Sequence, residues 1–126
     1  MGRYKILAVD DDPKALELIE AILVPAGYYV TTLDDSTKMI DTVQKVQPDL
    51  ILLDVMMPHE DGYTILNKLK KGQNRSNIPV IMVTALADTS NKVIASIDGA
   101  SAYITKPIDR VVLLETIAGF LPDSEF

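Results

Sequence analysis

At 126 residues the chain makes one domain, which at this length buries about two thirds of its unfolded surface without disulfide staples. Its 48% hydrophobic and 24% charged residues exclude a disordered tail, and the lack of cysteine excludes disulfides, thiolate metal sites and cysteine nucleophiles. A formal net charge of −6 argues against general affinity for nucleic acid or anionic membrane.

Along the chain a short apolar run, a turn, an amphipathic stretch and a second turn follow one another repeatedly. Ile6-Leu7-Ala8-Val9 is apolar at consecutive positions, as suits a strand buried on both faces of a parallel sheet. Pro13 fits a first helical turn, Leu16, Ile19, Ile22 and Leu23 follow at helical spacing, and Pro25-Ala26-Gly27 ends that helix. Tyr29 to Leu33, β-branched and aromatic, reads as a second strand. Ser36 is the expected N-cap of a helix carrying Met39, Ile40, Val43 and Val46. Leu50 to Leu53 is a third strand and Tyr63 to Leu69 a third helix, ending near Gly72. Pro79 introduces a fourth strand, Val80 to Val83. Thr89 to Ile97 reads as a weaker fourth helix, Ala102 to Thr105 as a fifth strand. Asp109 caps a last helix with Val112, Leu113, Ile117 and Leu121 on its apolar side. Strands alternating with helices predict an α/β domain, a parallel sheet with helices on both faces.

In such folds the functional site lies at the carboxyl ends of the strands. Asp10-Asp11-Asp12 follow the first strand, Asp54 the third, Thr84 and Ala85 the fourth, Lys106 and Pro107 the fifth. A parallel sheet brings these to one edge. Two carboxylates about 4 Å apart repel by roughly 4 kcal/mol at an effective dielectric of 20, so the cluster calls for a cation. Lys106 offsets part of the repulsion, and a hard divalent ion with oxygen ligands offsets more. An isolated Asp triplet would simply cap a helix; Asp54 and Lys106 at matching strand ends favour a site.

Val9-Asp10-Asp11-Asp12, Leu53-Asp54-Val55-Met56-Met57-Pro58, Asp61-Gly62-Tyr63, Ile78-Pro79-Val80, Val83-Thr84-Ala85 and Tyr103-Ile104-Thr105-Lys106-Pro107 occur in that order. In these pieces the sequence resembles the receiver domain of two-component response regulators, the CheY-like superfamily, from about Lys5 to Leu121. The resemblance implies a flavodoxin-like, doubly wound (βα)5 three-layer sandwich with sheet order 2-1-3-4-5. It implies one receiver domain over residues 1–126, with its core at about 5–121.

It also implies roles. Asp54 is the expected phosphoacceptor, taking a phosphoryl group from a sensor histidine kinase or a histidine phosphotransfer protein. Asp10 and Asp11, with Asp54 and the backbone carbonyl of Met56, are the expected ligands of Mg²⁺, with Mn²⁺ able to take its place. Thr84 is similar to the family hydroxyl that bonds a phosphoryl oxygen, Ala85 to the small residue beside it, and Lys106 to the ammonium that pairs with the phosphoryl group. The bond before Pro107 matches a position that is commonly cis. Tyr103 matches the aromatic switch, coupled with Thr84 to the face of the fourth helix, fifth strand and last helix. The chemistry agrees with general physics: a carboxylate can form an aspartyl phosphate, and phosphoryl transfer needs positioning and charge neutralisation. Such a domain catalyses only its own phosphorylation and dephosphorylation and is otherwise a signalling module.

Other features read more plainly. His59 lies in a polar loop, Met56, Met57 and Met82 fill gaps, and Lys68, Lys70 and Lys71 form a solvated helix end. A flavodoxin-type FMN binder needs phosphate donors where this chain has three acids. A nucleotide-binding domain needs GxGxxG or GxxxxGK[ST], and both are missing. A haloacid-dehalogenase-type phosphatase wants a second Asp where Met56 stands. A degenerate pseudo-receiver, acting only as an interaction or dimerisation scaffold, is the alternative; the intact acids, Thr84 and Lys106 speak against it.

Gly99-Ala100 is followed by Ser101 and Ala102 instead of the acids common in the family, and the fourth helix carries little charge. That suggests an apolar patch for a helical partner or for a phosphorylation-dependent homodimer; otherwise the chain is a monomer. No run reaches the roughly 20 apolar residues of a membrane span, and the N-terminus lacks a signal-peptide core, so a cytoplasmic location is expected. The chain stops just past the last helix, as either a free-standing regulator or a receiver cut from a larger one, and acts through a downstream effector or its own output domain.

Overall fold

In the computed structural model the apolar runs form one parallel sheet. The structure describes residues 3–54, 62–71, 77–84 and 100–121. Its strands are β1 (Lys5–Val9), β2 (Tyr29–Leu33), β3 (Leu50–Asp54), β4 (Val80–Thr84) and β5 (Ala102–Thr105), in the order β2-β1-β3-β4-β5. The helices among the described residues are α1 (Pro13–Leu23), α2 (Met39–Val46), α3 (Gly62–Lys70) and α4 (Arg110–Phe120). The helix expected over Thr89 to Ile97 lies outside the described residues.

Alternate strand residues feed two apolar layers, as a pleat with helices on both sides demands. Ile6, Ala8, Leu50, Leu52, Ile81 and Val83 pack with residues of α1 and α4. Leu7, Val9, Ile51, Leu53, Val80 and Met82 pack with Met39 and Val43 of α2 and Ile65, Leu66 and Leu69 of α3. β3 and β4 are buried along their whole length, which explains their unbroken apolar runs. Each such leucine or isoleucine is worth about 1.5–3 kcal/mol in transfer free energy.

Local chemistry sets the helix ends. Asp12 caps α1 by accepting from Lys14 N–H, with Pro13 in the first turn. Asp109 caps α4 by accepting from Val111 and Val112 N–H. Three details differ from the sequence expectation. Asp35, not Ser36, is the cap: its side chain accepts from Thr37 N–H and starts a 3-10 turn, Ser36–Lys38, with α2 beginning only at Met39. Ser36 is itself buried. Val112 is exposed and does not belong to the apolar side of α4, where Leu113 and Ile117 are buried. Lys70 is no solvated helix end, since its Nζ donates to the Ile78 carbonyl at 2.8 Å, and burial pushes its pKa down.

Among the described residues two turns use left-handed backbone. Gly27 has φ 102° before β2, and Gln47 has φ 52° after α2, where its N–H closes the helix on the Val43 carbonyl. The Lys106–Pro107 peptide bond is cis. No helix among the described residues is long and apolar enough to cross a membrane.

Candidate functional site

β1 and β3 are hydrogen-bonded neighbours, with Val9 in register with Leu53. The residues that follow, Asp10 and Asp54, therefore stand side by side at the carboxyl edge. Asp10 is held in line by its N–H, which donates to the Leu33 carbonyl at 3.1 Å. Asp54 is the last residue of β3 and pairs in register with Val83. Both carboxyl residues are buried, at 2% and 4% exposure, while Asp11 is exposed. One oxygen from each of Asp10, Asp11 and Asp54 lies within 4.8 Å of the others.

Asp12 takes no part in that cluster; it spends its side chain on the α1 cap. Its N–H instead fixes Asp10, donating to Oδ1 at 2.9 Å. Asp10 Oδ2 is sealed from solvent and meets Lys106 Nζ at 2.9 Å, an ion pair without the angle of a regular hydrogen bond. Lys106 Nζ also lies 3.6 Å from Asp54 Oδ1. Burial of the ammonium pushes its pKa down, but contact with Asp10 and the fields of Asp54 and Asp10 outweigh this, so the net shift is upward.

β4 and β5 complete the edge. Thr84 ends β4, is 4% exposed, and is in register with Thr105. Tyr103, in register with Met82, is half-buried against the layer that α2 and α3 cover. Thus Asp10, Asp11, Asp54 and Lys106 come together, Thr84 lies on the same edge, and Tyr103 lies back along β5. Met56 and Ala85 fall outside the described residues, as does His59.

The acidic cluster fits a hard divalent cation. Three carboxylates gathered around one ammonium are an excess of acid that a divalent cation would offset. The donors are all carboxylate oxygens, the type that Mg²⁺ and Mn²⁺ take, and two of the three are presented from a low-dielectric setting that strengthens their field.

A family model for the response regulator receiver domain matches residues 6–118. The chain is 38% identical over 117 residues to the DNA-binding dual master transcriptional regulator RpaA of Synechocystis sp., covering 93% of this chain and 48% of RpaA. It is 40% identical over 113 residues to the response regulator PleD of Caulobacter vibrioides, covering 90% of this chain and 25% of PleD. The chain thus spans about half of the first relative's length and a quarter of the second's. Among solved structures, the receiver domain of sensor histidine kinase PA1611 from Pseudomonas aeruginosa superposes with a TM-score of 0.87 and 28% identity, covering 97% of this chain and 100% of that one. That structure holds a magnesium ion coordinated in its active site cleft.

Proposed function

We propose that this chain, which belongs to the response regulator receiver domain family, accepts a phosphoryl group on Asp54 from a histidine kinase or a histidine phosphotransfer protein. The observation that carries the reading is the setting of Asp54: a buried carboxylate at a strand end, 3.6 Å from an ammonium and clustered with two further carboxylates.

In the transfer an Asp54 oxygen attacks the phosphorus of the donor's phosphohistidine. The P–N bond breaks, its electron pair leaves with the imidazole, which takes a proton from water, and an acyl phosphate remains on Asp54. The register of β1, β3 and β4 fixes the nucleophile before the donor arrives, which is the positioning such transfers need. Lys106 neutralises charge on the arriving oxygens, since its Nζ already stands between Asp10 and Asp54. Thr84 offers its hydroxyl from the end of β4. A magnesium ion, or manganese in its place, held by Asp10, Asp11, Asp54 and the main-chain carbonyl of Met56, would supply further positive charge to those oxygens. Water attack on the acyl phosphate later returns Asp54 to a carboxylate, so the chain is a signalling module, not an enzyme acting on other molecules.

The added group brings a charge of about −1.5 to −2. Thr84 responds to it and Tyr103 follows, shifting a two-state equilibrium at the face of the helix expected over Thr89 to Ile97, β5 and α4. The reading treats residues 1–126 as one receiver with its core at about 5–121, with output through an effector or a further domain of a longer regulator. It requires no nucleic acid or membrane contact by this domain, and it fits a cytoplasmic monomer or a homodimer formed on phosphorylation.

The test is incubation with Mg²⁺ and a small acyl phosphate, followed by intact mass. One added phosphoryl group is expected on the native chain and none on Asp54→Asn. No gain with any donor or kinase would favour a scaffold that binds partners without being phosphorylated.

A further inference from the structure

The outer edge of β2 is open. β2 ends the sheet and pairs with β1, so one row of its main-chain N–H and C=O groups has no strand partner among the described residues. Such an edge is a template for another strand, and natural proteins often blunt it with lysine, proline or a bulge. Tyr29-Val30-Thr31-Thr32-Leu33 has neither charge nor proline, and its register with β1 runs one-to-one without a bulge.

A cavity of about 350 Å³ opens beside that edge, between α1 and the end of β2. Pro13 and Leu16 give it an apolar wall, and Glu17, Glu20 and Asp34 give it a carboxylate rim. All three acids are exposed, and none has an ion-pair partner among the described residues. Thr32 also lines it, and Thr32 is in register with Ala8, whose layer is the one α1 covers. The cavity therefore lies on the α1 side of the open edge.

An apolar wall under a carboxylate rim suits a long cationic side chain, with its methylene stem on Pro13 and Leu16 and its head among the acids. We propose that the β2 edge and this cavity together dock an extended basic segment of a partner protein. The segment adds to β2 as an outer strand and places a lysine or arginine in the cavity. Side chains of an added strand alternate between faces, so its signature is a basic residue at every second position. A second copy of this chain is a poor occupant, because it brings a net charge of −6 to an acidic rim. The inference is independent of phosphoryl transfer, and its test runs without metal or phosphodonor.

The probe is a capped peptide of alternating lysine and valine, titrated into the whole chain and followed by fluorescence anisotropy and backbone amide shifts. Saturable binding is expected, with shifts centred on Tyr29–Leu33 and α1. The Glu17→Gln/Glu20→Gln variant should bind about tenfold more weakly, the size expected for two exposed ion pairs. The Asp41→Asn/Glu115→Gln variant, with the same change in net charge, should bind like the native chain. A peptide with N-methylated backbone amides should not bind. Absence of saturable binding, equal affinity for the rim variant, equal loss in the charge control, retained binding of the N-methylated peptide, or shifts centred elsewhere would each overturn the proposal.

Discussion

Lys106 donates its backbone N–H to the carbonyl oxygen of Thr84 over 2.7 Å. The main chain itself thus ties the end of β5 to the end of β4, and the Lys106 side chain is free to serve the acidic cluster without carrying the strand pairing. Lys106→Met should therefore keep the fold while removing the ammonium from Asp10 and Asp54. Phosphoryl uptake is expected to fall by about a hundredfold, the scale of losing one preorganised charge partner at a reacting oxygen. A time course of intact mass checks the rate, and an unchanged far-ultraviolet circular dichroism spectrum checks the fold.

The upward pKa shift of Lys106 has a pH consequence. Its folded pKa lies above the ordinary 10.5, so the folded state holds the proton more tightly than the unfolded chain. The stabilisation is complete below the unfolded value and is lost as pH rises through the folded one. Between neutral pH and the strongly alkaline range the native chain should lose more stability than Lys106→Met. Urea melts of both chains across that range measure the difference, and parallel curves would contradict the ion pairs.

Removing Asp11 separates charge repulsion from metal binding. In metal-free buffer Asp11→Asn takes away one of three clustered negative charges and should leave the melting temperature unchanged or higher. With Mg²⁺ the order reverses. The native chain gains about 2.7 kcal/mol when the metal is at a hundred times its dissociation constant, and the variant gains much less. Paired thermal melts with and without Mg²⁺ read both effects.

Gly119 lies inside the last turn of α4, and a Cβ built there meets nothing within 4 Å. Gly119→Ala should stabilise the chain by about 0.5–1 kcal/mol, through lower unfolded-state entropy and better helix propensity. The urea midpoint should rise with an unchanged slope.

Much of this is legible in the sequence alone. Ile6 to Val9, Leu50 to Leu53 and Val80 to Val83 are apolar on consecutive residues because helices cover both faces, and that pattern survives in sequence. The clustering of Asp10, Asp54 and Lys106 was legible because parallel strands must end on one edge. What was not legible depends on tertiary contacts. Asp35 and Ser36 are both good caps one residue apart, and the choice is decided by the burial of Ser36. Lys70 reads as a solvated cation until the chain returns and sets the Ile78 carbonyl 2.8 Å away. Val112 shares a helical turn with Leu113, and which of the two is covered depends on the face that α4 turns to the sheet. Asp12 stands next to the two expected ligands in sequence; its side chain caps α1, while Asp10 and Asp11 cluster with Asp54.

The left-handed turns at Gly27 and Gln47 have a bearing on how the molecule can change over time. Both sit where chain enters a strand, before β2 and before β3, at the margin opposite the acidic cluster. At that margin the chain turns through one glycine and one left-handed glutamine, whereas the other margin carries, besides its main-chain pairing, the fields between charges. The two margins can therefore drift separately. Turns at the entering side can lengthen, shorten or exchange residues at a cost in stability alone, while the exit side keeps its electrostatics as long as the register between β1, β3 and β4 holds.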